Sequence, residues 1–290
     1  MTTVASVSDE RPGTLTVGGF QRTFHVVGPD TPPAYMLLVL HGSDSDAAGI
    51  RTLSGHTFDR LSGLGVLVVY PEALQGMWND ARLGTQAPAR ELGIDDVEFL
   101  STLVHALRRQ YDVPADRVFA AGFSNGGQMV IRLVHEVPDL IAGAAVIGSN
   151  HPTAENLIPE ASERDQRREM PVLCINGTKD PIVPFEGGVP SLWGLKPRGP
   201  VMSSRASAGY FAERNGITVD PVTEQVTTGR LATTVTRWRE EGHAPVDFYA
   251  VDGGGHTIPN PDHRAPLILG RTARDLDAGT LVRDFFGIGA

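Results

Sequence analysis

Cysteine is almost absent from this chain: Cys174 is the only one, so no disulfide can form within it. It lies in the apolar run Pro171-Val172-Leu173-Cys174-Ile175, where a thiol is expected to be buried and inert rather than reactive. Basic charge is also scarce. The formal net charge is −9, which leaves no basic patch to steer the protein toward nucleic acid or an anionic membrane surface. No segment approaches the ~20 apolar residues that a membrane span requires. Met1–Pro12 is polar and lacks the basic start and apolar stretch of a secretory signal, so the reading is cytoplasmic, or exported if a leader has been trimmed. No His/Asp/Glu group has metal-ligand spacing and no glycine-rich loop precedes a lysine, so neither a metal nor another cofactor is expected.

What is present is a core-forming composition, 41% hydrophobic and 20% charged over 290 residues. Apolar runs alternate with helical patterns. Phe20–Val27 reads as a strand paired through Gly18-Gly19 with 14–17. Tyr35–Leu40 and 66–70 are continuous apolar runs, as expected of strands buried on both faces. A helix is expected from about 50 to 61, and another to Tyr111, capped by Asp95 or Asp96, with Val97, Leu100, Val104 and Leu107 on its inner face. Further strands are expected at 117–121, 141–147, 171–175 and 246–251, and a closing helix at 278–286. This alternation predicts an α/β fold with a mainly parallel central sheet and helices on both faces. One domain over 1–290 is expected, with a flexible N-terminus at 1–13. Loop or insert regions are expected at 150–170 and 187–240, near the site, with a possible hairpin at 217–238.

The most specific motif is Gly122-Phe123-Ser124-Asn125-Gly126, a G-x-S-x-G that follows an apolar run and precedes a helical one. In that context the serine sits on a tight strand-to-helix turn, with the glycines supplying the room the folded-back backbone needs. A serine hydroxyl is a weak nucleophile, so it needs a base and the base an orienting acid. Of nine histidines, His256 alone combines a position after the serine with a small-residue loop, Gly253-Gly254-Gly255-His256-Thr257, directly following a strong strand. His135 falls in the helix after Ser124 and is expected on its surface. Asp180, on the loop after 171–175, is the favoured acid, with Asp220, Asp247 and Asp252 as rivals. The N–H groups of Asn125 and Ser43 are the expected oxyanion donors; His41 is expected to hold the Ser43 loop by hydrogen bonds.

Together, Leu40-His41-Gly42, Gly122–Gly127, Asn176–Pro184 and Gly254–Thr257 resemble the polyhydroxybutyrate depolymerase and feruloyl/acetylxylan esterase group of α/β-hydrolases, as do Asp95-Asp96-Val97 with Phe99 and Asp116-Arg117-Val118. The resemblance runs over roughly 14–287 and implies an α/β-hydrolase fold and a Ser124, Asp180, His256 triad acting on carboxylic esters. Two positions depart from the group's pattern: Ser43 replaces a frequent cysteine, and Ile258 replaces the tryptophan of Gly-His-Thr-Trp-Pro. Loss of that aromatic surface points to a small or medium soluble ester rather than a polymer. Trp78, Trp193 and Ile258 are the candidate substrate-binding residues. Polyester depolymerase, peptidase, thioesterase and lactonase chemistry use the same triad, and a non-catalytic binding protein on this scaffold is the rival from another class. The sequence leaves the oligomeric state open.

Overall fold

A computed structural model describes residues 10–192 and 194–289. Ten strands form one sheet in the order β1-β2-β4-β3-β5-β6-β7-β10-β9-β8. They are β1 (Glu10–Val17), β2 (Phe20–Val27), β3 (Tyr35–Leu40), β4 (Val66–Pro71), β5 (Val118–Phe123), β6 (Gly143–Ile147), β7 (Val172–Gly177), β8 (Val222–Thr227), β9 (Thr233–Trp238) and β10 (Val246–Val251). β3 to β7 and β10 pair in parallel, while β1-β2 and β9-β8 add antiparallel edges. The helices are α1 (Ala47–Leu53), α2 (Pro88–Glu91), α3 (Asp96–Tyr111), α4 (Asn125–Glu136), α5 (Pro159–Glu163), α6 (Ser204–Arg214) and α7 (Ala278–Phe286).

The central strands read as unbroken apolar runs because each supplies both faces of the sheet. Met36, Leu38 and Leu40 of β3 join one core, with Phe99, Leu100 and Leu103 of α3 and Val130 and Leu133 of α4. Leu37 and Val39 join the other, with Ile50 of α1 and Val282 of α7. Asp95 caps α3, its side chain accepting from the Glu98 N–H. The thiol of Cys174 is buried between the layers, and burial together with the charge of Asp247 pushes its pKa up to about 12.

Several segments differ from expectation. Residues 10–13 belong to β1, paired with 24–27, rather than to a loose terminus; 1–9 lie outside the described residues. Only part of 187–240 is loop: α6 packs on the sheet, and β8-β9 extends its edge beyond β10. The expected 50–61 helix is split into α1 and a short 3-10 turn, Asp59–Leu64.

His135 is buried, not on the surface, because α4 is enclosed along its whole length. Its Nε2 lies 2.9 Å from Nε2 of His151, and its Nδ1 lies 3.3 Å from the Asp165 carboxylate, which also holds Arg214. His151 donates from Nδ1 to the Pro152 carbonyl at 2.7 Å, leaving Nε2 as an acceptor. Burial first, and then His135, push the pKa of His151 down to about 3. His41 is lowered too, again by burial. An unfolded histidine takes up its proton near pH 6.5 while His151 in the fold does not, so stability falls as pH drops from about 6.5 toward 3. Asp165 adds to the loss at lower pH: although burial opposes it, hydrogen bonds from His135, Arg167 and Arg214 lower its pKa. His151 is expected to remove about 2 kcal/mol of stability by pH 5, and His41 acts in the same direction. Urea midpoints at pH 7.5 and 5 measure this, and His151→Gln is expected to flatten the difference; a midpoint independent of pH over that range contradicts it.

Candidate active site

The carboxyl ends of β3, β5, β7 and β10 carry the loops that build the site, where parallel α/β sheets place their ligand crevices. β5 runs into α4 through Ser124, whose backbone sits at φ 55°, ψ −117°. That region is costly for a residue with a side chain, by about 1–3 kcal/mol, and persists only where the surroundings enforce it. The surroundings here are close-packed backbone. A Cβ on Gly122 would lie 2.2 Å from the Gly126 carbonyl oxygen, and one on Gly126 would lie 2.2 Å from the Leu40 carbonyl oxygen. The Ser124 N–H donates to Ile147 O at 2.9 Å, and its carbonyl accepts the Gln128 N–H, which pins the β5–α4 turn against the end of β6.

Asp180 follows β7 and His256 follows β10, and their two loops lie against each other. Lys179 N–H donates to Gly254 O at 2.8 Å, and a Cβ on Gly177 would lie 2.4 Å from that same oxygen. Asp180 Oδ1 accepts from the N–H groups of Ile182 and Val183, both at 2.8 Å. Its Oδ2 lies 2.7 Å from His256 Nδ1. Both side chains are nearly fully buried. Backbone amides thus aim one carboxylate oxygen and leave the other for the imidazole, whose Nε2 has no hydrogen-bond partner among the described residues. Asp247 is instead held by Arg239 at 2.6 Å, and Asp252 by the Thr178 hydroxyl at 3.1 Å. Among the described residues the carboxylate on the His256 ring is that of Asp180, not of Asp220, Asp247 or Asp252.

Ser124 and His256 line one cavity of about 230 Å³, together with Gly42, Ser43, Ile182 and Arg198. Among the described residues no hydrogen bond joins the Ser124 hydroxyl to the His256 ring. Such contacts are commonly long in free enzymes and tighten with substrate bound. The Phe123 ring packs 4.7 Å from the imidazole, centroid to centroid.

The loop after β3 crosses directly over the serine: a Cβ on Gly42 would lie 3.4 Å from Ser124 Cβ. His41 braces this loop. Its Nδ1 donates to Gly42 O at 2.7 Å, and its Nε2 accepts the Ala73 N–H at 3.0 Å, so burial keeps the ring neutral. Asn125 is the first residue of α4, where a helix leaves its N–H groups without intrahelical acceptors. Its side chain has a separate task. Oδ1 accepts the Trp78 N–H at 2.7 Å, and Nδ2 donates to Trp78 O and, at 2.6 Å, to Asp80 Oδ2.

Trp78 is fully buried, its indole donating to His41 O at 3.0 Å. It ties the β3 loop to the start of α4 rather than facing a substrate. Ile258 is likewise fully buried, in the core shared with α1 and α7, because the chain turns inward after His256. Trp193 lies outside the described residues. Sequence reasoning missed Asp80 and Arg198. Among the described residues, no group of three or more His, Cys, Asp or Glu side chains could hold a metal ion, and no helix is long and apolar enough to cross a membrane.

The sheet order, the turn at Ser124 and the solved structures agree on the class: the chain has the α/β-hydrolase fold. An acetyl xylan esterase from Aspergillus awamori superposes with a TM-score of 0.65 at 14% identity, over 96% of this chain and 99% of that one. The phospholipase/carboxylesterase family profile matches residues 67–191. A Nocardia uniformis subsp. tsuyamanensis protein named as an esterase, NocK, is 29% identical over 289 residues, 93% of this chain and 80% of its own length. Feruloyl esterase B of Piromyces equi is 29% identical over 199 residues, 66% of this chain but 34% of the relative. The chain is thus similar to proteins named as esterases, over most of its length in one case.

Proposed function

We propose that this protein is a serine carboxylic ester hydrolase acting through an acyl-enzyme, with Ser124 as nucleophile, His256 as base and Asp180 as orienting acid. The observation that carries the reading is the Asp180–His256 contact at 2.7 Å, whose imidazole shares one cavity with a serine on a strained turn. Because Nδ1 is committed to Asp180, Nε2 is the atom left to take the Ser124 proton as the hydroxyl attacks the ester carbonyl. Asp180 then stabilises the imidazolium, which passes its proton to the departing alcohol. The N–H groups of Ser43 and Asn125 receive the oxyanion; a single such donor is worth about 10²–10³ in kcat. Water, activated by the same histidine, releases the acid.

A soluble ester of small or medium size is the substrate reading. In its favour are the modest cavity and its apolar wall residues Ile50, Leu53, Leu192 and Leu269. An uncharged fluorophosphonate tests the assignment. One equivalent is expected to abolish cleavage of p-nitrophenyl butyrate and to add its mass to the peptide containing Ser124. Labelling at another residue, or none, overturns it.

A further inference from the structure

Six arginines are buried among the described residues: Arg22, Arg51, Arg82, Arg132, Arg198 and Arg214. Five of them have a carboxylate in contact, namely Asp96, Asp59, Asp80, Glu136 and Asp165 in that order. Arg198 is the exception. It is 4% exposed, and among the described residues its guanidinium has neither an ion-pair partner nor a hydrogen bond. A buried charge without a partner is expensive, and proteins retain one where a ligand supplies the counter-charge. Arg198 lines the cavity that also holds Ser124 and His256. It also lines an adjoining cleft of about 170 Å³ with Lys196 and Asp44.

The guanidinium is not there by slack in the chain. The Arg198 N–H donates to Pro190 O at 3.0 Å, and its carbonyl accepts from Asn156 Nδ2 at 3.1 Å. The facing charges are Arg82, Asp80 and Asp44. Burial and Arg82 lower the basicity of Arg198, while Asp80 and Asp44 oppose them. Asp80 is already neutralised by Arg82 at 2.5 Å, so the cavity wall presents one net positive group. A planar guanidinium matches a carboxylate with two parallel hydrogen bonds. Asp44 and Lys196 offset each other at the adjoining cleft, so Arg198 supplies the one unbalanced positive charge and a monoanion matches it.

Resting on the esterase reading above, we propose that Arg198 receives a carboxylate on the substrate, so that the preferred ester is a monoanion carrying that group within a few bonds of the scissile carbonyl. Hemiesters of short dicarboxylic acids are the simplest members of the class. Ser124 attacks the ester carbonyl, the alcohol leaves with the proton from His256, and water releases the second carboxylic acid.

The experiment compares kcat/KM for monoethyl glutarate and O-butyrylglycolate, which place the carboxylate on the acyl and alcohol sides, with their neutral carboxamide counterparts. Wild-type protein is expected to favour at least one anion over its amide by tenfold or more. In Arg198→Met and Arg198→Gln that ratio is expected to fall at least tenfold, while Arg198→Lys retains part of it. The wild-type ratio stands even if a variant fails to fold. No anion preference in a protein that cleaves the neutral esters and is labelled at Ser124 overturns this proposal and leaves the esterase reading intact. Equal losses on anion and amide also overturn it, assigning Arg198 to structure. Absence of all ester cleavage and of Ser124 labelling fails the esterase reading itself, and this proposal with it.

Discussion

Replacing Ser124 with alanine is expected to lower kcat for p-nitrophenyl butyrate by about 10⁴–10⁶-fold, and His256→Ala is expected to do the same. In serine hydrolases of this design, loss of any member of the unit leaves only what oxyanion donors and substrate binding supply, about 10³–10⁴ over water. The fold should be unaffected in Ser124→Ala. The Ser124 anchors are its backbone N–H to Ile147 and its carbonyl to Gln128, and alanine keeps both. Alanine also keeps the Cβ that makes φ 55° costly, so the melting temperature should stay close to that of the parent. Kinetics with a melting curve on the same preparation therefore separates lost chemistry from lost structure. Retained turnover in Ser124→Ala refutes the nucleophile.

The second large effect is expected at Asp80. This carboxylate is fully buried, accepts from the Arg82 backbone and side chain, and receives Asn125 Nδ2 at 2.6 Å. Burial works against its charge, yet Arg82 and Arg90 outweigh that cost and its pKa is lowered. Asp80→Ala leaves the Arg82 guanidinium buried without its partner, and breaking a buried pair in this way costs about 3–5 kcal/mol. It also releases the Asn125 side chain, which fixes the segment Trp78–Asp80 against the start of α4 and so the N–H assigned to the oxyanion. Stability and esterase activity should fall together in Asp80→Ala, while Asp80→Asn, which keeps an acceptor for Asn125, should lose less of both. Urea unfolding and kcat on the two variants measure this. A change below about 1 kcal/mol in Asp80→Ala would assign the pair a minor role.

Much of this architecture was legible from sequence for a physical reason. Strands buried on both faces must be almost wholly apolar, so Tyr35–Leu40 stands out as an unbroken run and Val246–Val251 as one interrupted only by Asp247, and the bounds of both match the structure. Backbone contacts closer than a Cβ permits demand glycine, which is why Gly122, Gly126, Gly177 and Gly255 mark the three loops around Ser124, Asp180 and His256. Exposure was not legible. His135 looks like a surface histidine until α6 and the 150–170 segment close over α4. Trp78 and Ile258 look like cavity walls until the chain path buries both. Helix α6 escaped notice because Ser204–Arg214 is rich in small residues and lacks a distinct apolar stripe. Arg198 carries no local signal at all, since its isolation from carboxylates is a property of the assembled loops.

The central claim is that Ser124 and His256 act as one unit, though no hydrogen bond links them in the free protein. The most direct measurement is kcat/KM on p-nitrophenyl butyrate for Ser124→Ala, His256→Ala and the double variant. The expected result is a double variant no slower than its parents beyond about threefold, because either single change already removes the unit. Losses that multiply in the double variant would mean that the two side chains work independently, and would contradict the account.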